Sequence, residues 1–340
     1  MANNSRQIQT PLATKQRVQW VDYAKGIGIF LVVFGHTLRG LVNSSILDTS
    51  MIVVSIDQWI YSFHMPLFFY LSGLFIERSA SKPLRKFVVS KLKVIAYPYL
   101  VWSVLQTVLQ AIASSYTNSS VSLGNLWRII YQPVMQYWFL YTLFVIMVVY
   151  AIVRKFNVSS RVFLILAILF YLTQIVDVGL GSWRVLYSVR RYAIYLALGA
   201  VVGSSRFMSQ LSQWKTQTLL MVTIAGFCAV GLAVGFNLMA VKLLTPIVAI
   251  FGIAASIALA ILLDRFNRIE FVKQWGRLSL EIFVAHTIAS ASLRIFLQYV
   301  FGFTNPIAHL ILGTALGIYA PIALYRICQP SRLRYMFRLV

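Results

Sequence analysis

Ten stretches of this chain are apolar for long enough to cross the ~30 Å hydrocarbon core of a bilayer. They lie near residues 21–42, 52–76, 87–113, 134–153, 161–180, 186–203, 218–236, 239–263, 279–300 and 306–325. Runs that follow one another through the whole chain can be hidden from water only in lipid, where each backbone polar group must be satisfied internally. A transmembrane barrel would need short alternating segments instead. Composition agrees, since only 11% of the residues are charged where a soluble domain carries roughly 25%. The expected fold is all-α, a polytopic membrane bundle of about ten transmembrane helices. The expected organisation is a cytoplasmic segment at 1–20, one membrane domain at 21–325 and a basic cytoplasmic tail at 326–340.

With the amino terminus inside, 23 of the 30 Lys and Arg fall on the cytoplasmic side, leaving Arg39, Arg128, Arg184, Arg190, Arg191, Lys242 and Arg294 outside. Basic residues are retained on the cytoplasmic side, so this asymmetry predicts both termini there. The net charge of +22 then reads as a topology signal that also meets anionic headgroups, and no nucleic-acid partner is expected. Cys228 falls mid-span and Cys328 just after the last span, a placement that argues against a disulfide. The polar first twenty residues hold no apolar signal core, so the first hydrophobic run is expected to stay in the membrane.

Ionisable groups inside a span are costly and mark function by default. The first span carries Asp22, Lys25 and His36. Lys25 and His36 are separated by about three helical turns and ~16 Å of rise, so they share one face, with Asp22 a turn before Lys25 on the same stripe. Taken singly, Lys25 reads as a snorkelling anchor and His36 as a packing histidine; the shared stripe turns both toward function. His64 in the second span is expected at the depth of His36 on a neighbouring helix, with Pro66 able to bend that helix around a cavity. It reads equally well as a headgroup-wetted histidine or a catalytic part. Ser72 and Gly73 read as close-packing residues. The basic run from Arg78 to Lys93 is either a topology signal or a phosphate cradle. Glu281 is expected to pair with Arg277, and His286 lies in the same span. Arg190, Arg191 and His309 lie near the outer face, where they could meet a sugar, a lipid phosphate or headgroups.

These residues resemble the acyltransferase-3 family of integral membrane acyltransferases, and within it the fucose 4-O-acetylase-like branch. The resemblance covers about residues 18–325 and is carried by Asp22-Tyr-Ala-Lys25-Gly26 with His36, by Phe63-His-Met-Pro-Leu-Phe-Phe-Tyr-Leu-Ser-Gly73, by the basic run into Pro98, by Tyr137-Trp-Phe-Leu140, and by Ser279 with His286. Lys25 stands where the family typically has an Arg ten residues before the essential His, which keeps the charge and loses the bidentate fork. The resemblance implies ten core helices in a bacterial cytoplasmic membrane and an acyl-CoA co-substrate, usually acetyl-CoA, with no further cofactor. It implies a sugar hydroxyl of a surface polysaccharide or lipid-linked glycan precursor as acceptor.

On that basis His36 is expected to be the general base, since imidazole can take a hydroxyl proton at neutral pH. Asp22, the other catalytic candidate, is too distant to orient the imidazole and is expected to pair with Lys25 at the donor mouth. Lys25, Lys91 and Lys93 are expected to bind acyl-CoA, whose pantetheine arm would run up the stripe. His64, Arg190, Arg191 and His286 are expected to bind the acceptor, and no metal is expected. Expected partners are membrane lipids and either further copies of the chain or polysaccharide synthesis machinery. A transporter or flippase of a lipid-linked sugar would use intramembrane His and Arg too. Neither an inverted repeat nor a pair of broken helices is visible to support it.

Overall fold

A computed structural model describes residues 18–113, 123–267 and 269–339. Most of the expected amino-terminal segment, residues 1–17, and most of the 114–127 loop lie outside the described residues. The helices are α1 Gln19–Asn43, α2 Met51–Gly73, α3 Ile76–Ala80, α4 Leu84–Lys91, α5 Tyr97–Ile112, α6 Trp138–Lys155 and α7 Ser160–Leu172. They continue as α8 Arg184–Gly203, α9 Phe207–Leu211, α10 Thr216–Gly235, α11 Thr245–Phe266, α12 Glu270–Arg277, α13 Ser279–Phe301 and α14 Pro306–Cys328. Among the described residues there is no strand.

Eight helical stretches are long and apolar enough to cross a membrane, including a continuous Leu84–Ile112 in which a π-helical turn at Leu92–Ala96 joins α4 to α5. Pro98 at the start of α5 supplies no N–H to the preceding turn, which accounts for the local change of hydrogen-bond register. The remaining two expected spans are α2 and α7. The first is long enough at 23 residues but is diluted by Asp57, Gln58 and His64. The second has only 13 residues. Its expected end at 180 is therefore corrected to Leu172, where Thr173 and Gln174 open a turn that reaches Asp177 with φ 51°.

Successive long helices run antiparallel between two faces. We call proximal the face where α1 begins and distal the face where it ends. Arg39 at the end of α1 meets Asp57 at the start of α2, Gln136 before α6 meets Thr287 two turns into α13, and Arg265 at the end of α11 meets Thr216 at the start of α10. The described members of the basic set thus belong to the proximal side, where the short helices α3, α9 and α12 also lie; Arg6, Lys15, Arg17 and Arg268 lie outside the described residues.

α1 is the central element and packs against α2, α11, α12, α13 and α14. Its foot is pressed against α12 through two glycines. A Cβ on Gly276 would sit 1.7 Å from the Asp22 carbonyl oxygen, and one on Gly26 would sit 2.0 Å from that of Val272. The crossing of α2 and α8 is built alike, with Gly73 against Leu196 and Gly199 against Tyr70, each at a would-be 2.1 Å. Small residues let backbones approach where lipid provides no hydrophobic drive for association. Gly73 is a packing residue, as its sequence context indicated. α12 is a separate helix broken from α13 at Leu278, not the opening turn of a span. The carboxyl-terminal residues fold back, with buried Phe337 against Trp102, whose Nε1 donates to the Met336 carbonyl at 2.9 Å.

Candidate active site

The distal half of the bundle holds a cavity of about 530 Å³ bounded by α1, α2, α5, α13, α14 and the turn leading into α6. The chain has four histidines; His36, His64 and His309 line this cavity, and His286 packs directly against the His36 ring. They come from four different helices, so their convergence is a property of the tertiary fold.

His36 lies with its ring centroid 5.2 Å from that of His286 and 6.1 Å from that of Tyr61. Tyr61 in turn stands edge-on to His64 at 4.5 Å. His36 and His64 thus meet at one depth through Tyr61, as counting turns from the span ends predicts. Two of the rings have their chemistry fixed by the backbone. His64 Nδ1 donates to the Ile60 carbonyl at 2.7 Å. His286 Nδ1 is shared between the carbonyls of Phe283 at 2.8 Å and Ile282 at 3.2 Å. A carbonyl can only accept, so in the neutral ring Nδ1 holds the proton and Nε2 keeps its lone pair. Both Nε2 atoms, and the Tyr61 hydroxyl, are buried without a hydrogen-bond partner. Buried polar atoms are normally satisfied, and unsatisfied ones lining a cavity are positioned for a ligand. Among the described residues, His, Cys, Asp and Glu form no cluster of three with the geometry to hold a metal ion.

Two further polar structures frame the cavity. At its mouth Arg39 grips Asp57 through two bonds, Nε to Oδ1 at 2.6 Å and Nη2 to Oδ2 at 2.8 Å, while its guanidinium lies 3.2 Å from the Tyr61 ring centroid. On the opposite wall Gln136 Nε2 donates to Gln106 Oε1 and to Thr287 Oγ1, both at 2.7 Å. Tyr137 Oη sits 2.7 Å from both Gln106 Oε1 and the Val284 carbonyl and shares its single proton between them. The polar wall therefore ties α5, the α6 entrance and α13 together. Sequence reasoning missed Arg39, Asp57, Gln106, Gln136, Thr287 and Arg294. The available signal was several polar residues at the distal ends of adjacent spans.

Asp22 does not line the cavity. It is buried at the proximal end of α1, where Arg277 Nε of α12 reaches its Oδ2 at 3.5 Å. This corrects the expected pairing of Arg277 with Glu281, and it gives Asp22 a helix-docking contact in place of a place beside the reacting atoms. Lys25 shares the stripe with His36, yet Ile29 and Val32 between them are at most 1% exposed and belong to the core. The stripe is packed shut and is not an open path for a pantetheine arm. Lys93 lines a separate proximal groove with Arg85, Lys86 and Ser90, which shares no residue with the cavity. Lys91 turns away from that groove, its ammonium 5.3 Å from the Phe87 ring centroid. Arg190 and Arg191 are corrected as well. Arg190 is buried and donates to the Val178 carbonyl at 2.8 Å, Arg191 is exposed beside Tyr192, and neither lines the cavity.

The chain matches a family described as an acyltransferase domain over residues 18–326. It is 28% identical over 152 residues to the nodulation protein NolL of Mesorhizobium japonicum, a stretch that covers 43% of this chain and 39% of that protein. The match thus spans well under half the length of that curated relative. No solved structure matches the chain at a significant level. A match that runs from the start of α1 into the last turn of α14 and takes in the whole cavity is more than a local likeness, and the chain belongs to the acyltransferase-3 family of integral membrane acyltransferases.

Proposed function

We propose that the chain moves an acyl group, usually acetyl, from coenzyme A to a sugar hydroxyl of a surface polysaccharide or lipid-linked glycan precursor, with the distal cavity as the acceptor site. The observation that carries this reading is a cavity lined by His36, His64 and His309, with His286 packed on His36 and the Nε2 atoms of His64 and His286 bare. Acyl transfer to a hydroxyl requires a base that is unprotonated before attack and can return the proton afterwards. His36 takes the hydroxyl proton as the sugar oxygen attacks the thioester carbonyl. The C–O bond forms, the C–S bond breaks, and the departing sulfur takes the proton from the imidazolium. The Tyr61 hydroxyl, buried and without a partner beside His36, is placed to donate to the oxyanion of the tetrahedral intermediate. The neutral wall of Gln106, Gln136 and Thr287 suits the hydroxyls of a sugar ring.

In this reading the proximal face is cytoplasmic, in keeping with its share of the basic residues, and the basic groove around Arg85, Lys86 and Lys93 holds the phosphates of coenzyme A. Lys25 would add its charge at the foot of α1. Because Ile29 and Val32 are packed, delivery of the thioester to His36 requires the layer between groove and cavity to part. The test is incubation of purified protein in nanodiscs with radiolabelled acetyl-CoA and extracted cell-surface glycan. Label that reaches glycan in the wild type but not in His36→Ala supports the reading. Label that never leaves coenzyme A, with transport of a lipid-linked sugar instead, would overturn it.

A further inference from the structure

Arg294 is a buried cation facing the acceptor cavity with little to neutralise it. It is 8% exposed, lines the cavity from α13, and has one hydrogen bond among the described residues, from Nη1 to Gln298 Oε1 at 3.2 Å. A guanidinium has five N–H donors, so most of its capacity is unused. The ionisable side chains that line the cavity are Arg39, Arg294, Tyr61, His36, His64 and His309, with no described carboxylate among them. Arg39 is already matched by Asp57, and the ion pairs among the described residues give Arg294 no such counterpart. A charged group inside a membrane bundle is expensive unless it is paired. The missing negative charge must come from what enters the cavity.

We infer that the acceptor glycan is anionic and that Arg294 binds its carboxylate or phosphate oxygens. This deepens the acceptor-site reading and rests on it. Arg294 lies seven residues beyond Thr287, nearly two turns along one face of α13 and ~10 Å further toward the distal surface. A sugar could thus lie along the Gln106–Gln136–Thr287 wall near His36 while its negative group lies at Arg294. Arg39 can join once an anion competes with Asp57 for its fork. A neutral glycan would leave the buried guanidinium uncompensated, which is a physical basis for selecting against it.

The experiment measures binding to nanodiscs of phosphatidylcholine, so that no anionic lipid occupies the site. Three probes are titrated by calorimetry: a uronate-containing oligosaccharide, a polyprenyl-diphosphate-linked sugar, and a neutral oligosaccharide of matched length. Wild type should bind at least one anionic probe, and the neutral one about ten- to a hundredfold more weakly, the loss expected when charge-assisted bonds are removed. Which anionic probe binds distinguishes carboxylate from phosphate. Arg294→Gln should lose the preference for the anion, and Arg294→Lys should retain part of it, which separates charge recognition from a folding defect. Equal binding of anionic and neutral probes by the wild type would overturn the inference, as would an unchanged preference in Arg294→Gln. Binding confined to added phosphatidylglycerol would overturn it too, since the anion would then be a lipid headgroup. Because binding is read without turnover, failure of the base mechanism would show as persistent label transfer by His36→Ala in the nanodisc assay and would leave this result standing.

Discussion

Replacing His36 by Ala separates chemistry from architecture. The His36 ring lines an open cavity and touches Tyr61 and His286 through its faces and edges. Removing it enlarges a space that already exists, so the cost in stability should be below about 1 kcal/mol. Losing a general base lowers the rate about 10²- to 10⁴-fold, or about 2.7–5.4 kcal/mol of barrier. His64 provides the internal comparison. It is fully buried, and its Nδ1 bond to the Ile60 carbonyl is 2.7 Å long. His64→Ala opens a void in a packed wall and removes that bond, for roughly 2–4 kcal/mol. Thermal melts in detergent should therefore show His64→Ala clearly destabilised and His36→Ala close to wild type. Label transfer from radioactive acetyl-CoA should show the reverse severity per folded molecule, with acyl-CoA affinity by calorimetry unchanged in His36→Ala. If His36→Ala is well folded and transfers label at near the wild-type rate, the assignment of the base is wrong. If it melts as badly as His64→Ala while its folded fraction turns over normally, the histidine is a packing residue.

Three other outcomes are expected. Lys93→Ala and Arg85→Ala should weaken acyl-CoA binding and flatten its salt dependence because screened phosphate contacts are lost, whereas Lys91→Ala, turned toward Phe87, should change calorimetric affinity little; equal effects would deny the groove its role. Gly276→Ala sets a Cβ 1.7 Å from the Asp22 carbonyl, so α12 must shift from α1 and the melting temperature should fall by an amount equivalent to about 1–3 kcal/mol; an unchanged melt would contradict that crossing. In a Cys228→Ser, Cys328→Ser background, single cysteines placed in 43–51 should react with an impermeant reagent from outside intact cells and those in 204–215 should not, and the opposite pattern would reverse the orientation.

The bundle was legible because lipid removes most alternatives: a chain with these apolar runs has only helices to form. What hydropathy does not read is where a helix stops for polar reasons, so the expected span ending at 180 runs eight residues past the end of α7, and the short polar helix α12 before the span at 279–300 has no hydropathy signal at all. Helical phase showed that Lys25 and His36 share a face, but phase carries no information about what covers a face. Ile29 and Val32 between them are sealed by core packing, and an expected channel became a wall. The same distinction governs the site. His36 and His64 could be matched because depth in a membrane is countable along each helix. Gln106, Gln136 and Thr287 could not, because neutral side chains raise no electrostatic alarm and their network requires α5, the α6 entrance and α13 to be neighbours across up to 181 residues of sequence. Arg190 and Arg191 failed for the complementary reason. They lie toward the distal end of α8, but α8 packs on α2, α6 and α7, whereas the cavity is enclosed by α1, α2, α5, α13 and α14. α2 receives α8 through Gly73 at its proximal end and presents Tyr61 and His64 to α1 along its distal half. Arg190 is held by the Val178 carbonyl and Arg191 lies over the Tyr192 ring, whose neighbour Trp138 lines the cavity in their place. Depth, phase and neighbour order must all agree before a buried polar residue reaches the cavity, and only the first two can be counted along one chain.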